Sequence, residues 1–149
     1  MPPADASVVI PPAPFQWADG AEYSQSLRVG EFVFVSGQGG FDQSGTVVVG
    51  GMAAQTRQVL DNLSVILAQH GLSLASVIRL GVHIADPADY VVFQSVRREY
   101  FSPPWPVSTA VCSGLLVEGM RIEIDAVASV TAARHGTAGT EDPTAAGGA

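Results

Sequence analysis

The stretch GMAAQTRQVLDNLSVILAQHG, Gly51 to Gly71, constrains this chain more than any other. Met52, Val59, Leu63, Ile66 and Leu67 recur at helical spacing, and Gln55, Arg57, Gln58, Asp61 and Gln69 fill the opposite face. Gly71 stands where a left-handed C-cap is expected. A helix with one apolar stripe must lay that stripe on another element, and the flanking segments read as a sheet. YSQSLRVG (Tyr23 to Gly30) and EFVFVSG (Glu31 to Gly37) are β-prone runs around a VGE turn and predict a hairpin. FDQSGTVVVGG marks a further turn. SVIRLGVHIAD (Ser76 to Asp86) alternates and is β-branched, so it predicts a strand. DPADYVVFQSVRREYF (Asp86 to Phe101) opens with Asp and Pro and turns helical, with Asp86 or Asp89 as N-cap. SPPWP ends that helix, because proline lacks an amide donor and clashes with the preceding turn. VSTAVCSGLLV and GMRIEIDAVASV then read as two strands joined by Glu118 and Gly119. The order β-β-(β)-α-β-α-β-β predicts an α+β fold with two helices on one sheet face. Nothing in the chain is left to cover the other face, so another subunit is expected there.

At 149 residues the chain fits one domain with a substantial core. Residues 1–14, rich in Pro and Ala, and 131–149, small, polar and Gly-rich, read as flexible tails around a domain at 15–130. The formal net charge of -7 argues against a broad nucleic-acid surface, which needs clustered cations. It also disfavours anionic membranes, and no apolar run is long enough to span a bilayer. Cys112 is the lone cysteine, so no internal disulfide forms, and a reducing compartment suits it. The N-terminus has neither the positive charge nor the apolar core of a secretory signal. A cytoplasmic protein is the expectation.

SGQGG, Ser36 to Gly40, interrupts an apolar run with glycine. It lacks the Lys and hydroxyl of a P-loop and the spacing of a dinucleotide fingerprint. A strand-end turn or bulge and the lip of a small-molecule pocket both remain open. His70, His83 and His135 are scattered, without a metal-ligand pattern. His83, between Val82 and Ile84, reads as a strand-face residue. In RIEIDAVA a strand places Arg121, Glu123 and Asp125 on one face, with Ile122 and Ile124 on the other. A solvated charged face is the ordinary meaning. A sheet covered on both sides would instead half-bury Glu123, which is costly unless the carboxylate is paired, with Arg121 for example, or used to position water.

Taken together, YSQSLRVGEFVFVSGQ, AAQTRQVLDNLSVILAQHGLSLASVI, DPADYVVFQSVRREYF and RIEIDAVA resemble the Rid (reactive intermediate deaminase) or YjgF family, in collinear order from Tyr23 to about Val130. The resemblance implies a chorismate-mutase-like mixed β-sheet with two helices on one face. It implies a homotrimer with a cleft between each pair of subunits, and no metal or organic cofactor. Typical members hydrolyse enamines and imines to a ketoacid and ammonia. Tyr23 matches a tyrosine that lines the cleft. Ser36, Gly37 and Gln38 match an SGQ whose backbone faces the ligand, which makes the glycine run a pocket lip. Gly39 stands where proline is usual and is expected to widen that rim. Gln94 falls where asparagine usually sits. Glu123 matches the glutamate that holds the attacking water, and Cys112 is a further candidate wall residue.

The main departure is in PPWPVSTAVCSGLL. Typical members carry an arginine here that grips the substrate carboxylate through two parallel hydrogen bonds. Keeping Pro106 and Glu123 in register puts Ser108 at that position, and a shift by one puts Val107 there. Simple 2-aminoacrylate is therefore not the expected substrate. The expectation is a hydrolase or deaminase of a larger, less anionic imine, enamine or related intermediate, in a specialised catabolic or biosynthetic pathway. Arg28, Arg57 or Arg121 are candidate replacements for the missing grip. The alternative is a non-catalytic trimer that binds a small molecule or acts as a scaffold. A ribonuclease role, also attached to this family, is disfavoured by the few cations.

Overall fold

The computed structural model describes residues 7–132. Six strands form one mixed sheet: β1 (Val8–Val9), β2 (Ser26–Val29), β3 (Phe32–Gly39), β4 (Val77–Ile84), β5 (Val107–Cys112) and β6 (Ile122–Ser129). Their spatial order is β1-β2-β3-β6-β4-β5. Only β4 and β5 run parallel, and the helix α2 (Tyr90–Tyr100) makes the crossover between them. The longer helix α1 (Gly51–Ala68) connects β3 to β4.

Most expected elements form for the expected reasons, but the strand expected in FDQSGTVVVGG is reduced to a single bridge, Phe41↔Val47, and Gln55, expected on the outer face of α1, is buried. Met52, Val59, Leu63, Ile66 and Leu67 are buried on α1, together with Leu60. They pack in one core with Val33, Val35, Leu80, Val82, Ile84, Ile122, Ile124 and Phe93 of α2. Each fully buried side chain of this size contributes about 1.5–3 kcal/mol relative to exposure. Of the two candidate caps, Asp89 holds the N-cap position of α2 without a side-chain cap bond, and Asp86 caps the 3-10 turn just before it. Asp86 Oδ1 accepts from Ala88 N at 2.9 Å, and Pro87 opens the 3-10 turn that leads into α2.

Three expectations are corrected. The stretch 7–14 is not a tail, because Val8 and Val9 pair with Val29 and Arg28, and Gln69 Nε2 donates to Pro12 O at 2.9 Å. Residues 133–149, most of the second expected tail, lie outside the described residues. The strand expected over Val107–Val117 stops at Cys112, and β5 and β6 are not neighbours. β6 instead inserts between β3 and β4 and buries Ile122, Ile124, Ala126 and Ala128 under the helices. A central position covers more apolar surface than a hairpin on β5 at the sheet edge could.

The face opposite the helices carries Phe32, Phe34, Arg79, His83, Val107, Val111, Glu123 and Asp125. Phe32, Phe34, Val107 and Val111 are all exposed there in the single chain. This is the uncovered face that the two-helix inventory implied.

Candidate functional site

Strand pairing brings Glu123 and the glycine run together. The β3–β6 register holds from Phe32↔Ser129 to Val35↔Ala126 and resumes at Gln38↔Ile124, so β3 carries one extra residue at Ser36–Gly37. Such a bulge twists the strand and re-aims its backbone. It is held open from the far side: Ser36 N donates to Gln25 O at 2.9 Å, and Ser36 Oγ donates to Ser24 O at 2.6 Å. That tether places the neighbouring Tyr23, which is exposed, beside the bulge. The Glu123 carboxylate lies directly over Gly37. A Cβ on Gly37 would overlap Glu123 Oε1 and come within 3.0 Å of Cδ. The same device recurs one position along, where a Cβ on Gly81 would come within 2.7 Å of Asp125 Oδ1. Asp125 in turn accepts from Arg79 Nη1 at 3.1 Å and lies 3.7 Å from His83 Nε2.

The glycine run thus has two functions. Gly37 lies half-exposed beneath the Glu123 carboxylate. Gly39 and Gly40 are packing glycines: a Cβ on Gly39 would press on Phe41 and Met120, and one on Gly40 on the Gln55 backbone. Gly39 therefore does not widen a rim. The Gln38 side chain turns inward, 1% exposed, and donates to Gln25 Oε1 at 2.9 Å. Only its backbone can meet a ligand.

Ser108, Cys112 and Gln94 belong to a second cluster. Ser108 pairs with Leu80 and Cys112 with Ile84, so their side chains leave the sheet on the helix-covered side, opposite Glu123. Val107, the other candidate for the arginine position, points to the Glu123 face. The two candidate registers therefore differ in the face they select. Cys112 Sγ donates to Ala85 O at 3.5 Å. Cys112 also lines an open pocket of about 350 Å³ with Ala110, Val111, Ile84, Pro87 and Tyr90. Gln94 lies one helical turn beyond Tyr90 on the same face of α2. Within one chain, then, the Glu123 carboxylate over Gly37 lies on one side of the sheet and the Ser108 and Cys112 side chains leave on the other.

The expected arginine substitutes are otherwise engaged. Arg57 makes a bidentate pair with Glu99 (2.9 and 2.7 Å), which holds the Glu99 carboxyl below its ordinary pKa. Arg121 does not neutralise Glu123. It reaches Asp89 through Nε at 2.8 Å and Nη2 at 3.0 Å, and this hydrogen bonding, then the charge, raises its pKa. Arg28 Nε donates to Gly30 O at 3.0 Å. The sequence reading missed Tyr90, Arg97 and the Gly81–Asp125 contact. For Tyr90 and Arg97 a signal existed, since they stand four and three residues either side of Gln94 on a helix.

A six-stranded mixed sheet with two helices on one face, and a carboxylate over a bulged glycine on the other, defines an α+β protein. The endoribonuclease L-PSP family model matches residues 16–130, and the chain belongs to that family, the YjgF/Rid family of the resemblance. It is 36% identical over 107 residues to human 2-iminobutanoate/2-iminopropanoate deaminase, covering 71% of this chain and 78% of that one. It is 39% identical over 107 residues to a RutC family protein of Pyrococcus horikoshii, covering 71% of this chain and 85% of that one. The crystal structure of RidA from an Antarctic Psychrobacter superposes with a TM-score of 0.71 at 32% identity, covering 81% of this chain and 94% of that one.

Proposed function

We propose that this protein hydrolyses a reactive imine or enamine in a cleft between two copies of the chain, with Glu123 as the acid-base group. The observation that carries this reading is the Glu123 carboxylate held over the Gly37 backbone at a bulge, on a sheet face that one chain leaves open. A carboxylate there can take a proton from water as the oxygen adds to the C=N carbon. That proton passes to nitrogen to give a carbinolamine; the carboxylate then takes the carbinolamine hydroxyl proton and delivers it to nitrogen as the C–N bond breaks, leaving ammonia and a carbonyl product. Backbone amides at the bulge orient a carbonyl or carboxylate oxygen, and Tyr23 stands at its edge. Ser108, Gln94 and Cys112 contribute from a neighbouring copy, because the sheet separates them from Glu123 within one protomer. The deaminase relatives favour imine chemistry. The substrate is larger than 2-aminoacrylate, since the strand position of the usual arginine holds Ser108 or Val107.

The test generates imines in situ with an amino-acid oxidase, from small, bulky and aromatic amino acids, and follows ketoacid release. Wild type is expected to accelerate hydrolysis for at least one bulky substrate. Glu123→Gln is expected to lose about 10²–10⁴-fold in rate, the usual share of a general base, with its oligomeric state unchanged. Equal rates with and without the protein across the panel would overturn the reading in favour of a non-catalytic binding protein.

A further inference from the structure

Helix α2 and the segment that carries β5 meet at two separate places, an open pocket and a stacked arginine. At one, Tyr90 shares the open pocket with Ala110 and Cys112. At the other, the Arg97 guanidinium lies 5.8 Å from the ring centre of Trp105, two residues before β5 begins. Tyr90, Gln94 and Arg97 form one stripe along α2, and Ser108, Ala110 and Cys112 form one stripe along β5. Seven residues of helix separate Tyr90 from Arg97 by about 10 Å along the axis.

Arg97 differs from Arg28, Arg57, Arg79 and Arg121, which have polar partners, and from Arg98, which is exposed. Arg57, Arg79 and Arg121 each hold a carboxylate, and Arg28 holds a carbonyl. Arg97 is half-buried between Phe93, 5.5 Å from its guanidinium carbon, and Trp105, and its Nε is closed off from solvent without an acceptor. Among the described residues no carboxylate meets it. Two aromatic faces hold the planar cation in place. Partial desolvation without a counter-charge is unfavourable in the empty site and is relieved by an arriving anion.

We propose that a groove continues from the Tyr90 pocket along α2 to Arg97, and that Arg97 there grips the carboxylate of a small 2-imino or 2-oxo acid. The group supplied by β5 in typical relatives is here supplied from α2. Anchored at Arg97, an extended apolar side chain reaches the pocket at Tyr90, Ala110 and Cys112, and the C=N or C=O carbon falls between, beside Gln94 and Ser108. Carboxylate-bearing substrates with side chains longer than that of alanine are selected. This proposal rests on the hydrolase reading for the identity of the ligand, but its test does not depend on turnover.

The experiment is calorimetric binding at fixed ionic strength, with 4-methyl-2-oxopentanoate, its amide and inorganic phosphate as probes. Wild type, R97M, R97K and the neighbouring control R98M are compared. The ketoacid is expected to bind wild type and R98M alike and R97M about tenfold or more weakly, a factor worth about 1.4 kcal/mol. The amide, lacking the charge, is expected to bind all four equally, which a merely structural role for Arg97 would not produce. R97K keeps a cation over both rings, so it covers the case in which R97M does not fold. It is expected to weaken ketoacid binding alone, because an ammonium cannot form two parallel hydrogen bonds. No ketoacid binding to wild type, or ketoacid binding by R97M or R97K at wild-type strength, overturns the proposal. Phosphate binding with the same Arg97 dependence also overturns it, in favour of an unselective oxyanion site. If Arg97-dependent ketoacid binding occurs without imine hydrolysis, only the hydrolase reading fails. If hydrolysis occurs at wild-type rate in R97M, only the Arg97 proposal fails.

Discussion

Gly37→Ala separates the catalytic from the structural meaning of the glycine run. The new methyl would overlap Glu123 Oε1 and lie 3.0 Å from Cδ and 3.2 Å from Cγ. The neighbour that must yield is the end of a flexible, partly exposed side chain, not backbone. Gly37 does not occupy the left-handed region, so alanine brings no backbone strain. It even removes unfolded-state freedom worth about 0.4–1 kcal/mol. Repacking against Glu123 costs about 1 kcal/mol, at the low end for added methyl groups. The two nearly cancel, and the thermal midpoint should move by only a few degrees. Activity should respond far more. Clearing the methyl displaces the carboxylate by about 1 Å, and a displacement of that size costs about 10²-fold when a reacting group must be aligned. The assay is imine hydrolysis for Gly37→Ala, Glu123→Gln and the double variant, with thermal denaturation in parallel. In the double variant the loss should be no greater than for Glu123→Gln alone, because both changes remove one alignment. Activity of Gly37→Ala within threefold of wild type, or fully additive losses, would refute the reasoning.

Gly81→Ala makes the opposite comparison. Its methyl would come within 2.7 Å of Asp125 Oδ1 and 2.8 Å of Cγ, and Asp125 is pinned by Arg79. Urea titration is expected to give a loss of about 1–3 kcal/mol, whereas an unchanged midpoint would mean that the Arg79–Asp125 pair is free to move. His70 sets a pH dependence. Burial, and secondarily the Arg28 charge, lower its pKa below the ordinary 6.5, and its Nε2 lies 2.8 Å from Ser26 Oγ. The folded state therefore binds fewer protons than the unfolded chain. The His70 contribution to stability is fully present above pH 6.5 and declines as pH falls from there through the lower folded value. Thermal midpoints between pH 8 and pH 5 should fall more steeply for wild type than for His70→Gln, and parallel profiles would remove His70 as the cause.

Much of the architecture was legible in the sequence because it is local. The stripe on α1 and the alternation in RIEIDAVA depend on periods of 3.6 and 2, which show in the order of residues. The cap at Asp86 and the stop at SPPWP are equally local. Glu123 and the SGQ run stood out as candidates through motif alone. The distinct roles of Gly37, Gly39 and Gly40 were not, because each depends on which side chain the fold brings against it.

The sequence by itself determined the kind and order of the elements from β2 to β6, most of the apolar stripe on α1, the alternation of β6, and the uncovered second sheet face. The tertiary structure decided strand neighbours. Period-2 alternation states which residues share a face but not which strand lies alongside, and pairing β6 between β3 and β4 is settled by the total apolar surface it buries. That choice lays Glu123 over Gly37 and Asp125 over Gly81, and turns Ser108 to the opposite side of the sheet. It likewise decided that Arg121 meets Asp89, and left Arg97, one cation among several in the sequence, as a cation held between two aromatic rings. Contacts between residues far apart in the chain depend on how the helices and sheet fit together in space, and the linear order of residues carries no direct record of that.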